Sequence, residues 1–298
     1  YKQQQHMHWL PDEVNLADDL RDYREKMSEG NKRLLGQIFR FFTQADVDVC
    51  CGYAKHYLPT FKQPEVRMML AAFAAMEAVH QEAYSLLLET LGFRDDEYQK
   101  FFKHKEMLDK HENHGNFGME TPIDIAKTMA IYSAFTEGVQ LFSSFAILLN
   151  FPRHNLMKGM GQIVTWSVRD ETLHVEGMSH LFRVFIQENP ELWTDDLKYE
   201  IYCAAERTVE LEDAFINLCF EGAEVPDLTA EEIKEYIRYI ADRRLLGLGM
   251  KKIFGSDVNP LPWLDYMLNG VEHTNFFENR ATEYSRASTT GNWQDIFK

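Results

Sequence analysis

Chain breakers are scarce in this 298-residue sequence, which has 9 prolines and 16 glycines. Such thin punctuation excludes the closely spaced turns of an all-β sandwich or barrel. No stretch alternates apolar with polar residues long enough to make a convincing strand. Cysteine is scarcer still: Cys50, Cys51, Cys203 and Cys219 have neither the density of a disulfide framework nor the spacing of a zinc site. The adjacent Cys50 and Cys51 are expected as reduced core thiols. Basic charge is also short, with 31 Lys and Arg against 47 Asp and Glu, a net charge of −16. That balance counts against nucleic acid and anionic membrane surfaces as partners, because both demand clustered cations. No strictly apolar run approaches the roughly 20 residues of a membrane span, and the sequence from Tyr1 lacks the charged-then-apolar pattern of a secretion signal. A cytoplasmic setting is therefore expected.

What is present is hydrophobic content of 45% and aromatic content of 13%, enough to bury a large core. Apolar residues recur at three and four, the helical period. The pattern predicts helices over 12–28, 31–57, 63–91, 95–112, 122–150, 154–187, 191–221 and 229–254, with a short one near 261–270. Gly30, Pro59, Gly92, Pro152, Pro190 and Pro226 are the expected stops. The fold class is all-α, a bundle of long helices covered on most sides. A helical domain is expected over 1–272. Residues 273–298 are polar and aperiodic but end in Trp293, Ile296 and Phe297, which suggests a tail that docks on another protein.

Acids interrupt the apolar stripes. In "MEAVH", Glu77 and His80 are spaced to share one helical face, and the spacing recurs in "RDETLH" with Glu171 and His174. Asp46 continues the stripe Leu35, Phe39, Phe42, Val49, Tyr53, and Glu137 sits among Ala130, Ala134, Leu141, Phe145 and Leu148. One buried carboxylate is costly unless paired or metal-bound, and four crowded together repel and raise one another's pKa values. Two divalent cations neutralise four carboxylates and two imidazoles. One acid from each of two helices plus Glu-x-x-His from each of two others is the general plan of a di-metal carboxylate bundle. Oxygen and imidazole donors suit iron or manganese, and such a site suits redox chemistry with oxygen.

The order Asp46, Glu77 with His80, Glu137, then Asp170-Glu171 with His174 resembles the small, radical-generating subunit of class I ribonucleotide reductase, a ferritin-like family, over nearly the whole chain. The intervals between ligands resemble the family's as well. The resemblance implies that Tyr84, on the face of Glu77 and His80, is the tyrosine oxidised to a stable radical. It also makes Trp9, in "HWLPDEV", an electron relay bonded to Asp170, which supports the ligand His80. Tyr284, in "NFFENRATEYS", becomes the relay across a subunit boundary. The implied partners are the large (alpha) subunit, which reduces ribonucleotides, a second copy of the chain in a homodimer, and a flavodoxin-like activation partner. The oxidising equivalent is expected on Tyr84 or on the metals, and iron and manganese stay equal candidates. A ferritin-like oxidase acting on its own substrate and an iron-storage ferroxidase are the competing functions.

Overall fold

A computed structural model describes residues 1–93, 103–113 and 118–268. The chain divides into two compact units, Tyr1–Pro260 and Leu261–Lys298. In the second, residues 262–268 are helical, and the expected docking tail with Tyr284 lies outside the described residues. The first unit contains α1 (Lys2–His6), a 3₁₀ turn at Pro11–Glu13, α2 (Ala17–Glu25), α3 (Glu29–Gly52), α4 (Pro64–Leu91), α5 (Lys105–Asn113), α6 (Pro122–Thr128), α7 (Phe142–Arg153), α8 (Lys158–Glu188), α9 (Asp195–Phe220) and α10 (Ala230–Gly247). No strand occurs among the described residues. α3 packs on α4, α8 on the stretch from α6 to α7, and α9 on α10.

Local chemistry explains where helices begin. Ser28 caps α3 by accepting from Asn31 N, and Thr194 caps α9 by accepting from Leu197 N. Reciprocal capping boxes open α6 (Thr121, Asp124) and α10 (Thr229, Glu232), satisfying amides that have no intrahelical partner. The start of α8 has no such local cap. Asp19, on α2, instead accepts from Gly159 N at 2.9 Å and Met160 N at 2.7 Å, and Asp22 accepts from Met157 N at 3.1 Å. A carboxylate far away in sequence thus caps the 31-residue α8, favoured by the helix dipole.

Several expected boundaries differ. The helix expected over 12–28 is split, because Pro11 sets a short 3₁₀ turn and the helix proper begins only at Ala17. Gly30 does not stop a helix: it lies in the first turn of α3, where a Cβ would meet Gly222 O at 2.1 Å. Its role is close approach. The helix expected over 229–254 ends at Gly247. Pro152 is carried inside the last turn of α7 rather than ending the helix before it. Cys50 and Cys51 are half-buried rather than core residues, and only Cys219 is buried.

The stretch expected as one helix over 122–150 is the most informative departure. From Met129 to Glu137 its turns widen to π geometry, and at 138–141 it becomes a turn before α7 starts. Such insertions in a helix are frequent at functional sites. The span Pro122–Arg153 as a whole is also long and apolar enough to cross a membrane, although no unbroken apolar run in it reaches that length. Its apolar window is wholly buried inside the fold, so the bundle core accounts for it.

α8 crosses close to α4 at Gly177. A Cβ there would lie 2.9 Å from the ring of Phe73, and that ring tilts against the imidazole of His174 at 4.2 Å between centroids.

Candidate metal centre

Four helical segments each bring one acid to the same buried place. Asp46 comes from α3, Glu77 from α4, Glu137 from the end of the π segment and Glu171 from α8, and none is more than 3% exposed. His80 and His174 stand one turn beyond Glu77 and Glu171, as i,i+3 spacing requires, and are equally buried. Glu77, Glu171 and His174 each offer a ligand atom within 4.8 Å of the others. His80 Nδ1 lies 3.2 Å from Glu171 Oε1 and 3.5 Å from Glu77 Oε2, and His174 Nδ1 lies 3.0 Å from Glu77 Oε1.

Seven of the donor atoms are left without a hydrogen-bond partner. Asp46 Oδ2, both oxygens of Glu77, Glu137 Oε1, Glu171 Oε2 and both nitrogens of His174 are buried with no hydrogen-bond partner. An unpaired buried polar atom costs about 1–3 kcal/mol, and native folds leave few of them. So many at one point mean that the lone pairs converge on something other than each other. Four carboxylates and two imidazoles form a donor set that fits a pair of cations with oxygen and nitrogen preference.

The electrostatics agree. Burial, then the charge of Glu77, pushes the Asp46 carboxyl well above the ordinary range, and burial with Glu171 does the same to Glu137. Burial opposes charging His174, yet the neighbouring carboxylates of Glu171 and Glu77 raise it to about 10. Burial likewise opposes a charged His80, but Asp170, Glu171 and Glu77 hold it well above its usual value. Burial would raise Glu171 as well, but His174 and His80 lower it.

Around this cluster the structure gathers Trp9, Asp170 and His80. Trp9 Nε1 donates to Asp170 Oδ2 at 2.8 Å, and the same oxygen is 3.2 Å from His80 Nε2. Trp9 is 3% exposed and lies between Trp166, 5.0 Å away, and the ring of His80, 6.0 Å away and stacked. Tyr84 is buried. Its hydroxyl donates to Ser167 Oγ at 3.2 Å, and Phe42 covers its ring at 4.9 Å. Burial, then the charge of Asp46, drives its phenol far above the ordinary value.

Three participants were not singled out by spacing. Tyr53 donates to Glu137 Oε2 at 2.8 Å; it stands two turns after Asp46 on the same stripe, a signal that was legible. Gln4 Nε2 donates to Asp170 Oδ1 at 3.1 Å, and Arg169 Nη2 donates to Met7 O at 2.5 Å. Together these contacts bind the N-terminal segment onto α8. Nothing in "KQQQH" announces it.

Fold and cluster together define a di-metal carboxylate helical bundle. The chain belongs to the ribonucleotide reductase small chain family, whose model matches residues 1–260. It is 48% identical to the probable ribonucleoside-diphosphate reductase small subunit of Invertebrate iridescent virus 3, over 97% of this chain and 81% of that one. It is 30% identical to the ribonucleoside-diphosphate reductase subunit beta of Chlamydia pneumoniae, over 94% and 84%. Among solved structures, the ribonucleotide reductase R2 subunit from Clostridium botulinum shares the fold with TM-score 0.84 at 20% identity, covering 90% of this chain and 86% of that one. The dimanganese(II) NrdF of Streptococcus sanguinis does so with TM-score 0.70 at 21%, covering 87% and 90%.

Proposed function

We propose that the chain is the radical-generating small subunit of a class I ribonucleoside-diphosphate reductase, with Asp46, Glu77, His80, Glu137, Glu171 and His174 holding two iron or manganese ions. The observation that carries this reading is the convergence of unpartnered buried donor atoms at the meeting of four helical segments, in a chain of this family. Bound there, the ions would supply redox chemistry with oxygen or a reduced oxygen species.

The protein's own side chains do the rest. Burial of every donor excludes water, which protects a strong oxidant from side reactions. Asp170 accepts from Trp9 and fixes His80 through the nitrogen that faces away from the carboxylates, the usual support of a ligating imidazole. The same hydrogen bonds join Trp9 to the centre, which suits it as the electron relay. Tyr84 is the candidate store of the oxidising equivalent, with the metals themselves as the other location. Tyr284 and the tail over 273–298 serve relay and docking on the large subunit, where ribonucleotides are reduced. A homodimer, a flavodoxin-like activator and a cytoplasmic location complete the reading.

Metal analysis with electron paramagnetic resonance after oxygen treatment tests it. Two ions per chain are expected, with either a tyrosyl signal that Tyr84→Phe removes or a mixed-valent metal signal that it spares. A correctly folded chain that binds no iron or manganese refutes the proposal.

A further inference from the structure

The break that follows Glu137 is anchored on three sides. Val139 N and Gln140 N both turn back to Phe135 O, and Phe142 N donates to Val139 O at 3.0 Å instead of continuing the α pattern. Two carbonyls of this turn are taken by cations. Arg244, on α10, donates through Nε to Gly138 O at 2.8 Å while its guanidinium lies over the ring of Phe142 at 4.7 Å. Lys110, on α5, donates to Gln140 O at 3.0 Å. Lys110 is fully buried, paired with Glu212 of α9 at 2.5 Å and packed on the rings of Phe41 and Phe215 at 3.7 and 4.0 Å. The other oxygen of Glu212 accepts from Ser143 Oγ in the first turn of α7.

Gly138 has no room for a side chain: a Cβ would meet Ala134 O at 2.2 Å and Arg244 Nε at 2.9 Å. Removing either partner of a buried pair is far costlier than an ordinary surface change, so a helix interruption held by one is expensive to keep without a reason. The interruption begins at the residue after Glu137. In an unbroken α-helix, that carboxylate would take its direction from helix geometry alone.

We infer that Arg244 and the Lys110–Glu212 pair are positioning residues that hold the Gly138–Phe142 break and thereby aim the Glu137 carboxylate at the metal centre. The inference rests on the metal-binding reading of Glu137. It assigns the two cations no contact with substrate or ion. Their action is on the backbone that carries the ligand.

The test uses the full chain. Arg244→Met keeps the apolar length and removes the donor, Arg244→Lys restores a donor, and Lys110→Met/Glu212→Gln removes the buried charge together with its partner. Manganese(II) is titrated and the unbound ion is read by its paramagnetic resonance, while amide exchange over residues 136–143 is followed by mass spectrometry without metal. Arg244→Met is expected to unfold near the wild-type temperature, exchange faster in that segment and bind one of two ions about tenfold or more weakly, as other outer supports of ligands do. Arg244→Lys is expected to recover most of the affinity, and the double variant to show the same exchange and binding defects as Arg244→Met. Unchanged affinity and exchange in Arg244→Met, with two ions still bound by wild type, overturns the positioning role alone. A wild-type chain that binds no manganese overturns the metal reading and this inference with it.

Discussion

Replacing Asp170 separates two jobs that one carboxylate performs. In Asp170→Ala, three buried donors lose their acceptor: Trp9 Nε1 at 2.8 Å, Gln4 Nε2 at 3.1 Å and His80 Nε2 at 3.2 Å. At about 1–2 kcal/mol for each orphaned donor, the loss is roughly 3–6 kcal/mol. It does not grow beyond the cost of releasing the N-terminal segment, because local opening then relieves it. Trp9, 3% exposed in the native fold, is expected to enter water and shift its fluorescence to the red, with residues 2–13 becoming open to proteolysis. Asp170→Asn behaves differently. Its amide oxygen can face Trp9 and His80 while its NH₂ faces Gln4, whose Oε1 has no partner in the native structure and can accept after the amide turns over. Stability is then expected to fall by less than about 1.5 kcal/mol. Manganese affinity, which depends on the carboxylate charge behind His80, should still drop about 10- to 100-fold. Urea unfolding of the metal-free chain and manganese titration measure the two effects separately. Wild-type stability with unshifted Trp9 emission in Asp170→Ala, or undiminished affinity in Asp170→Asn, would refute the reasoning.

Asp19→Ala should cost about 2–3 kcal/mol, since two charge-assisted hydrogen bonds to the buried start of α8 disappear together; a shift in the urea midpoint smaller than its error would show that the cap contributes nothing. Metal loading should weaken as pH falls. His174 is raised to about 10, and burial holds Asp46 and Glu137 above the ordinary range, so binding must release protons that acid conditions keep in place. Manganese titrations at pH 6.5 and 8.0 should differ by about tenfold or more, and a flat profile would mean the ligands are already deprotonated. Tyr84→Phe should keep both ions, because the hydroxyl bonds Ser167 rather than any ligand; loss of metal from that variant would contradict the geometry.

The convergence of buried acids and histidines was legible because the chemistry that makes it costly also makes it visible. Asp46, Glu77, Glu137 and Glu171 stand on stripes that are otherwise apolar, and the paired i,i+3 histidines mark two of them. The break after Glu137 was not legible: Gly138 is the only glycine or proline between Met129 and Phe151, and a π turn has no residue signature distinct from an α turn. Its anchors were hidden for a related reason, since Lys110, Glu212 and Arg244 look like surface charges until the fold shows what they face. The cap on α8 escaped because Asp19 lies on a different helix from the amides it serves. Spacing reports what one helix presents, and says little about what another helix answers.

The bare α-carbon at Gly177 has a reach longer than its own contacts. It leaves the volume that Phe73 fills, and the same ring tilts against the imidazole of His174. An alanine there would press its methyl group on that ring and, through it, on the plane of the imidazole. A mutation that removes no charge and no hydrogen bond could therefore disturb the buried cluster of acids and histidines through a phenylalanine.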